Sequence, residues 1–468
     1  MDFLSQIVDS VNGVLWTYVL VIMLIGCAIW FTIRCKFVQI TMLRDLPIMF
    51  RNCTHEEREE GVERISSFQA FAISIASRVG TGNLAGVAVA ITLGGPGAVF
   101  WMWLIAFLGA SSAFVESTLA QLYKVRGESS FIGGPAYYMS KGLKAPWMGA
   151  IFSVLLILTF GFAFNSLQSN TICQAFEGAF SLDPAYTGTV LTMITLAIIF
   201  GGIQSIARVS GIIVPIMALG YIILAFVVIA MNITEIPHVF SLIISHAFGW
   251  EQGLAGGLGA AIQQGIRRGL YSNEAGMGSA PNVAATADVS HPVKQGKVQA
   301  ISVFSDTLII CSCTAFIILV GGIPAGCDAS GIKLTQQALC AQIGPWGDIA
   351  VAIAIFFFAY SSVLGNYYYG EANVQYLSKK RWVLTTYRII VAFMVLFGSV
   401  ASLQLVWNMA DMFMGMMTIC NLIAIVLLGK YAFRLLQDYR EQKRSGVVDP
   451  VFTKDKMPDI AKDLDCWD

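Results

Sequence analysis

Eleven runs of predominantly apolar residues divide this chain, against the roughly 20 residues that a helix needs to cross a bilayer core about 30 Å thick. They fall at 14–33, 66–92, 96–123, 148–176, 185–202, 210–231, 253–287, 298–322, 347–376, 384–401 and 405–429. Soluble domains carry about 25% charged residues. Here 56% of residues are hydrophobic and 12% charged. The chain therefore reads as an all-α polytopic membrane protein of 11 transmembrane helices, with the lipid bilayer as its partner. A formal net charge of +0 gives a nucleic acid nothing to bind. No obligate protein partner and no separate soluble domain is legible, and the stretch after Arg444 is too short to fold alone.

Basic residues set the expected orientation, because cytoplasmic loops are enriched in Lys and Arg. Loop 34–64 holds Arg34, Lys36, Arg44, Arg51, Arg58 and Arg64. Alternate loops hold Lys124, Arg126, Lys141 and Lys144, then Arg208, then Lys294 and Lys297, then Lys379, Lys380 and Arg381. The tail adds Lys430, Arg434, Arg440, Lys443 and Arg444, while the opposite loops hold only Lys333. The N-terminus is thus expected outside, the C-terminus in the cytoplasm, and the number of spans odd. Asp2 and Asp9 precede the first run where a leader would carry a basic patch, so that run reads as a retained helix. Stretch 35–64, with Glu56, Glu57, Glu59, Glu60 and Glu63 among its basic residues, reads as an interfacial or solvated helix. The 10 cysteines form no CxxC pair. Cys311 and Cys313 are spaced poorly for zinc, and Cys327 and Cys340 share a loop in which a disulfide is an open option.

Two runs differ from the others. The second contains Ser77-Arg78-Val79-Gly80-Thr81-Gly82-Asn83. The seventh contains Gln263-Gln264-Gly265-Ile266-Arg267-Arg268-Gly269, then Ser272-Asn273-Glu274-Ala275-Gly276-Met277-Gly278-Ser279-Ala280-Pro281. Glycine costs about 1 kcal/mol against alanine inside a helix. Irregular backbone at membrane depth survives only where it is buried in protein or lines a cavity. Each such run opens a block of five, runs two to six and seven to eleven, and five is odd, so the blocks have opposite orientation. Interrupted helices at matching positions of two inverted halves point to the site of a secondary transporter. Amides at a half-helix N-terminus suit a carboxylate, and freed carbonyls suit a cation. The expected organisation is an extra helix and interfacial segment at 1–64, one half at 65–231, the second at 232–430, and a tail at 431–468. Gly82-xxx-Gly86 alone would fit close helix packing; two breaks in register favour the site. Gly80-Thr81-Gly82-Asn83-Leu84-Ala85 also fits G-x-G-x-x-G/A, but no strand precedes it, so a dinucleotide site is excluded.

The stretch SRVGTGNLAGVAVAITLGGPGAVFWMW, 77–103, resembles the second-span signature of the alanine or glycine:cation symporters, also called sodium:alanine symporters. GIRRGLYSNEAGMGSAPNVAA, 265–285, resembles their seventh-span signature. The resemblance extends, in order, over most of the chain. It implies a fold like the bacterial leucine transporter, with helices 2–11 as a 5+5 inverted repeat and helices 2 and 7 broken. It also implies sodium-coupled uptake of a small neutral amino acid across a bacterial-type inner membrane, alanine or glycine first and glutamine for some members. Na⁺ is then the coupling ion, with no organic cofactor. The string Gly80-x-Gly82-Asn83 further resembles the first broken helix of the neurotransmitter:sodium symporters. Carried over, that likeness places the substrate carboxylate on the amides of Thr81, Gly82 and Asn83. It places one sodium between the carbonyls of Ala76 and Val79 and the hydroxyls of Ser361 and Ser362. Arg78 stands where that family has a small residue, which speaks against a second sodium there.

Further residues are candidates by position. Asn165 and Gln168 lie about one turn apart and either line a pocket or bond between helices, with Phe164 beside them. Gln263, Gln264 and Gly265 precede the second polar stretch and are candidates for the substrate's polar groups. Asn366 follows Ser362 by about one turn and is a candidate for the same cavity. Arg267 and Arg268 are costly at depth and have Glu274 nearby, so an ion pair is expected, serving as a lock on the break or as a gate. Arg78 needs a partner among Glu116, Asp306, Glu371 and Asp411, any of which instead could relay protons to make the coupling ion H⁺. An enzyme is not expected: a membrane hydrolase needs a histidine at depth, and His55, His238, His246 and His291 all lie at or near loops.

Overall fold

The computed structural model describes residues 2–49, 65–127, 130–201, 203–249, 255–321 and 331–467. Arg51, Arg58, Arg64, His55, the glutamates between 56 and 63, and Cys327 with its pairing to Cys340 lie outside them, as does the side chain of Arg208. Among the described residues the architecture is helical, with one two-stranded antiparallel sheet, Val125–Arg126 against Phe131–Ile132.

Each expected run carries a helix or a pair of helices. The first is α1, Gln6–Arg34. The second is two half-helices, α2, Ser67–Arg78, and α3, Gly82–Gly94. Then come α4, Ala98–Leu122, α5, Pro146–Phe180, α6, Pro184–Ile199, and α7, Ile203–Met231. A bend leads to α8, Ile236–Ala247, and then α9, Ala255–Asn273. The remainder is α10, Pro292–Val320, α11, Trp346–Leu377, α12, Arg381–Val400, and α13, Leu403–Arg444. Among the described residues seven helices are by themselves long and apolar enough to cross a membrane, or eight if the two segments bent by 103° at 215–247 count as one. The broken second and seventh runs fall short because their glycines and polar residues interrupt them.

Among the described residues four helices contain π-turns: Leu15–Val19 in α1, Gly82–Gly86 in α3, Ile157–Phe164 in α5 and Phe304–Cys311 in α10. Such turns add a residue to the helix and re-aim the side chains around it, and they recur at functional sites. Here they hold Trp16, Asn83, Phe164 and Asp306, all buried.

The tail boundary expected at 431 falls inside α13, which continues to Arg444 because Tyr431, Ala432, Leu435, Leu436 and Tyr439 remain buried. Beyond it the chain turns back along the protein and buries Phe452, Met457, Ile460, Leu464 and Trp467. The Trp467 indole donates to the carbonyls of Gln121 and Leu122, at 3.1 and 3.2 Å, covering part of the open C-terminal end of α4. Too short to fold alone, the tail folds by docking.

Candidate functional site

The first break is a redirection of backbone hydrogen bonds. Val79 takes an extended conformation, φ −78° and ψ 93°, after the last turn of α2. A continuous helix would send the Gly80 N–H to the Ala76 carbonyl, Thr81 to Ser77 and Asn83 to Val79. Instead Gly80 N–H donates to the Asn83 side-chain oxygen at 2.9 Å. Thr81 N–H donates to Gln168 Oε1 at 3.0 Å, and Asn83 N–H to the Gly80 carbonyl at 3.2 Å. The carbonyls of Ala76, Ser77 and Val79 are thereby released from the helical pattern. Glycine at 80 is a matter of space: a Cβ there would overlap Ser362 Oγ and lie 2.9 Å from Gln168 Oε1.

Two of those carbonyls meet α11. Ser362 Oγ lies 3.0 Å from the Ala76 carbonyl and 3.3 Å from that of Val79, and Ser361 Oγ lies 3.4 Å from Ala76. All four oxygens come from buried residues. They form a neutral set of hard ligands, suited to a small hard cation rather than to a transition metal. Asn366, one turn further along α11, accepts from Ser77 Oγ at 3.1 Å.

The second break begins at Glu274, after α9, in a backbone that only glycine adopts freely: φ is +84° at Gly276 and +88° at Gly278, with Glu274 itself at +57°. Its amides are held by a carboxylate of the protein. Glu116 on α4 accepts the N–H groups of Gly276 and Gly278, each at 3.1 Å, and the Asn421 side-chain amide at 2.8 Å. Asp306 on α10 ties the two breaks together, accepting from Asn83 at 2.7 Å and from Ser272 at 2.7 Å.

The ion pair expected between Arg267 or Arg268 and Glu274 is not formed. α9 runs unbroken through the two arginines and aims them at α13, where Asp411 accepts Arg268 at 2.5 Å and Arg267 at 3.3 Å. Glu274, turned by its left-handed backbone, accepts instead from Ser279 at 2.5 Å and Ser77 at 3.2 Å. Arg78 makes no salt bridge with any of its four candidates. One nitrogen donates to Ser302 and, at 3.4 Å, to the Gln299 carbonyl, and Nε and Nη2 have no hydrogen-bond partner among the described residues. Glu371 pairs with Arg388 at 3.5 Å.

Gln263, Gln264 and Gly265 lie away from both breaks. Glu274 comes nine to eleven residues later, about 15 Å along the helix. Gln263 donates to Thr17 at 3.3 Å, and Gly265 lets α9 pack closely on Ala98 and Trp101 of α4. Asn165 and Gln168 do not act together: Asn165 donates to the Gly161 carbonyl of its own helix at 3.1 Å, and only Gln168 reaches the break. Phe164 stacks edge-on against Tyr271, centroids 4.7 Å apart, and Tyr271 against Trp407 at 5.0 Å. The sequence reading missed Tyr271 and Trp407; the only signal for Tyr271 was its place in GLYSNEAG, directly before the second break.

Two interrupted helices tied together at Asp306, with a neutral oxygen cage at one break and beside it a Thr81 amide held by the Gln168 side chain, fit a membrane transporter. The solved structure of MhsT in complex with L-phenylalanine shares this fold: TM-score 0.54 at 14% identity, covering 80% of this chain and 98% of that one. The chain belongs to the sodium:alanine symporter family, whose family model matches residues 1–454. It is 51% identical over 466 residues to the probable sodium/glutamine symporter GlnT of Bacillus subtilis, covering 100% of this chain and 96% of that protein. It is 49% identical over 467 residues to the amino-acid carrier protein AlsT of the same organism, covering 100% and 98%.

Proposed function

We propose that the protein is a sodium-coupled symporter for a small neutral amino acid, alanine or glycine first. The carrying observation is the set of four oxygens of Ala76, Val79, Ser361 and Ser362 beside the first break. Sodium there would bridge α2 to α11 and hold the break open. The substrate carboxylate would take the amides at Thr81, Gly82 and Asn83, displacing Gln168 Oε1, with Phe164, Tyr271 and Trp407 as the apolar wall. Because both ligands need the same interrupted backbone, each raises the affinity for the other. Arg267, Arg268 and Asp411 form the gate on one side, and Glu116 and Asp306 brace the breaks while the bundle rocks. This reading carries eleven spans, inverted halves at 65–231 and 232–430, an N-terminus outside and a cytoplasmic C-terminus in a bacterial-type plasma membrane.

Glutamine is the second reading, favoured by the high identity to a chain named a sodium/glutamine symporter. The deciding experiment is uptake of labelled L-alanine, glycine and L-glutamine into proteoliposomes of the purified protein, under a sodium gradient and then a proton gradient. Accumulation driven by sodium alone supports the proposal. Accumulation driven by protons alone transfers coupling to the buried carboxylates, and uptake of none of the three sinks the substrate assignment.

A further inference from the structure

α1 stands outside both five-helix halves, and most of its surface is open: Tyr18 is 70% exposed and Ile22 69%. Trp16 is the opposite, 0% exposed, and lies in the π-turn Leu15–Val19. Trp16 falls on the buried stripe of α1, four residues after Asn12 and four before Leu20, and its indole lies against the Arg267–Asp411 cluster. The indole Nε1 donates to the Asp411 backbone carbonyl at 3.3 Å. The ring faces the Arg267 guanidinium, 5.0 Å from its centroid. On the inner side Arg268 covers Trp407 at 4.2 Å.

The charges explain what the ring is for. Two guanidiniums share one carboxylate, and Arg268 holds it at 2.5 Å while Arg267 reaches it only at 3.3 Å. Arg267 Nε, and Arg268 Nε and Nη1, have no hydrogen-bond partner among the described residues. Both guanidiniums therefore lie against indole faces, and Arg267, held less closely by Asp411 than Arg268 is, lies against that of Trp16; such a face attracts a cation most strongly where water is excluded. Neighbouring bonds fix α1 to the same stretch of α13: Asn12 donates to the Asn408 carbonyl at 3.0 Å, and Asn408 to Asp9 at 2.5 Å.

We propose that Trp16 is a positioning residue of the transport gate: through its ring face on Arg267, the N-terminal helix keeps the gate closed over bound substrate. This rests on the symporter reading. Trp16 touches no part of the substrate site, so its loss should loosen substrate without slowing turnover. In proteoliposomes with a sodium gradient, Trp16→Leu should raise the KM for alanine about thirtyfold, the size expected for one desolvated cation–π contact, and leave kcat within about twofold. Trp16→Phe, which keeps a ring face, should stay within about twofold in both. Trp16→Leu combined with Arg267→Gln should be no worse than Arg267→Gln alone. Hydrogen exchange of the α9 segment around Arg267, read without transport, should be faster in Trp16→Leu than in the wild type. A KM unchanged in Trp16→Leu, equal losses in the Leu and Phe variants, or unchanged exchange at Arg267 overturns the proposal. Should wild-type protein carry none of the amino acids, the symporter reading fails, and the exchange comparison still decides whether Trp16 holds Arg267.

Discussion

The side-chain oxygen of Gln168 accepts two donors of Thr81, the backbone N–H at 3.0 Å and the hydroxyl at 2.6 Å. A neutral amide oxygen from α5 thus sits on the first free donor of the half-helix α3, where the partial positive charge of a helix N-terminus favours an anion. Its other end, Nε2, donates to the Tyr271 hydroxyl at 3.3 Å, so the same side chain joins the break to the aromatic wall.

If Gln168 holds the place of the substrate carboxylate, a permanent carboxylate there should compete with it. Gln168→Glu is expected to raise the KM for the transported amino acid at least about tenfold, and Gln168→Ala much less. Uptake kinetics at saturating sodium decide this; a Glu variant with the wild-type KM would remove Thr81 from the substrate site.

Ser362 approaches both freed carbonyls and Ser361 only one, at 3.4 Å. Ser362→Ala should therefore raise the sodium concentration for half-maximal uptake about fivefold or more, and Ser361→Ala less. Rates at saturating sodium should stay close to wild type. The check is a sodium titration at fixed substrate, and identical curves for all three proteins would place the cation elsewhere.

Gly82 touches backbone, which cannot give way: a Cβ there would lie 3.0 Å from the Ser272 Cα and 3.0 Å from the Tyr271 ring. Gly82→Val is expected to abolish substrate binding by pushing α3 from α9, while the protein still inserts and elutes as a single species. Normal uptake by this variant would mean that the two breaks need not touch.

The docked tail should be pH-sensitive. His291 is buried against Tyr439 and Phe452, and burial pushes its imidazole down to about 4, against the partial help of Asp438 at 3.1 Å. Released into water, the ring returns to about 6.5 and binds a proton that the docked state refuses. The undocked state therefore gains protons between about 6.5 and 4, and docking weakens as pH falls through that window and is unaffected above it. Limited proteolysis after Arg444 should accelerate from pH 7 to pH 5 in the wild type but not in His291→Gln. Equal acceleration in both would assign the effect to another group.

The apolar runs were legible because burial in a bilayer depends on local composition and length. The breaks were legible too, since three glycines around Asn83 and three around Glu274 are tolerated at membrane depth only where backbone is meant to be free. Ala76, Val79, Ser361 and Ser362 were reached through family resemblance, and the fold brings their oxygens together across 285 residues. What no run of residues could state was who faces whom. Arg268 finds Asp411, 143 positions away, rather than Glu274, six positions away, because α9 stays helical and its phase turns the arginines toward α13. Glu116 is a clamp on amides rather than half of an ion pair, and Trp16 faces Arg267 rather than lipid because it falls on the buried stripe of α1 with Asn12 and Leu20. Helix phase and packing set those partnerships, and both depend on the whole bundle, whereas hydrophobic length and glycine spacing are properties of the chain alone.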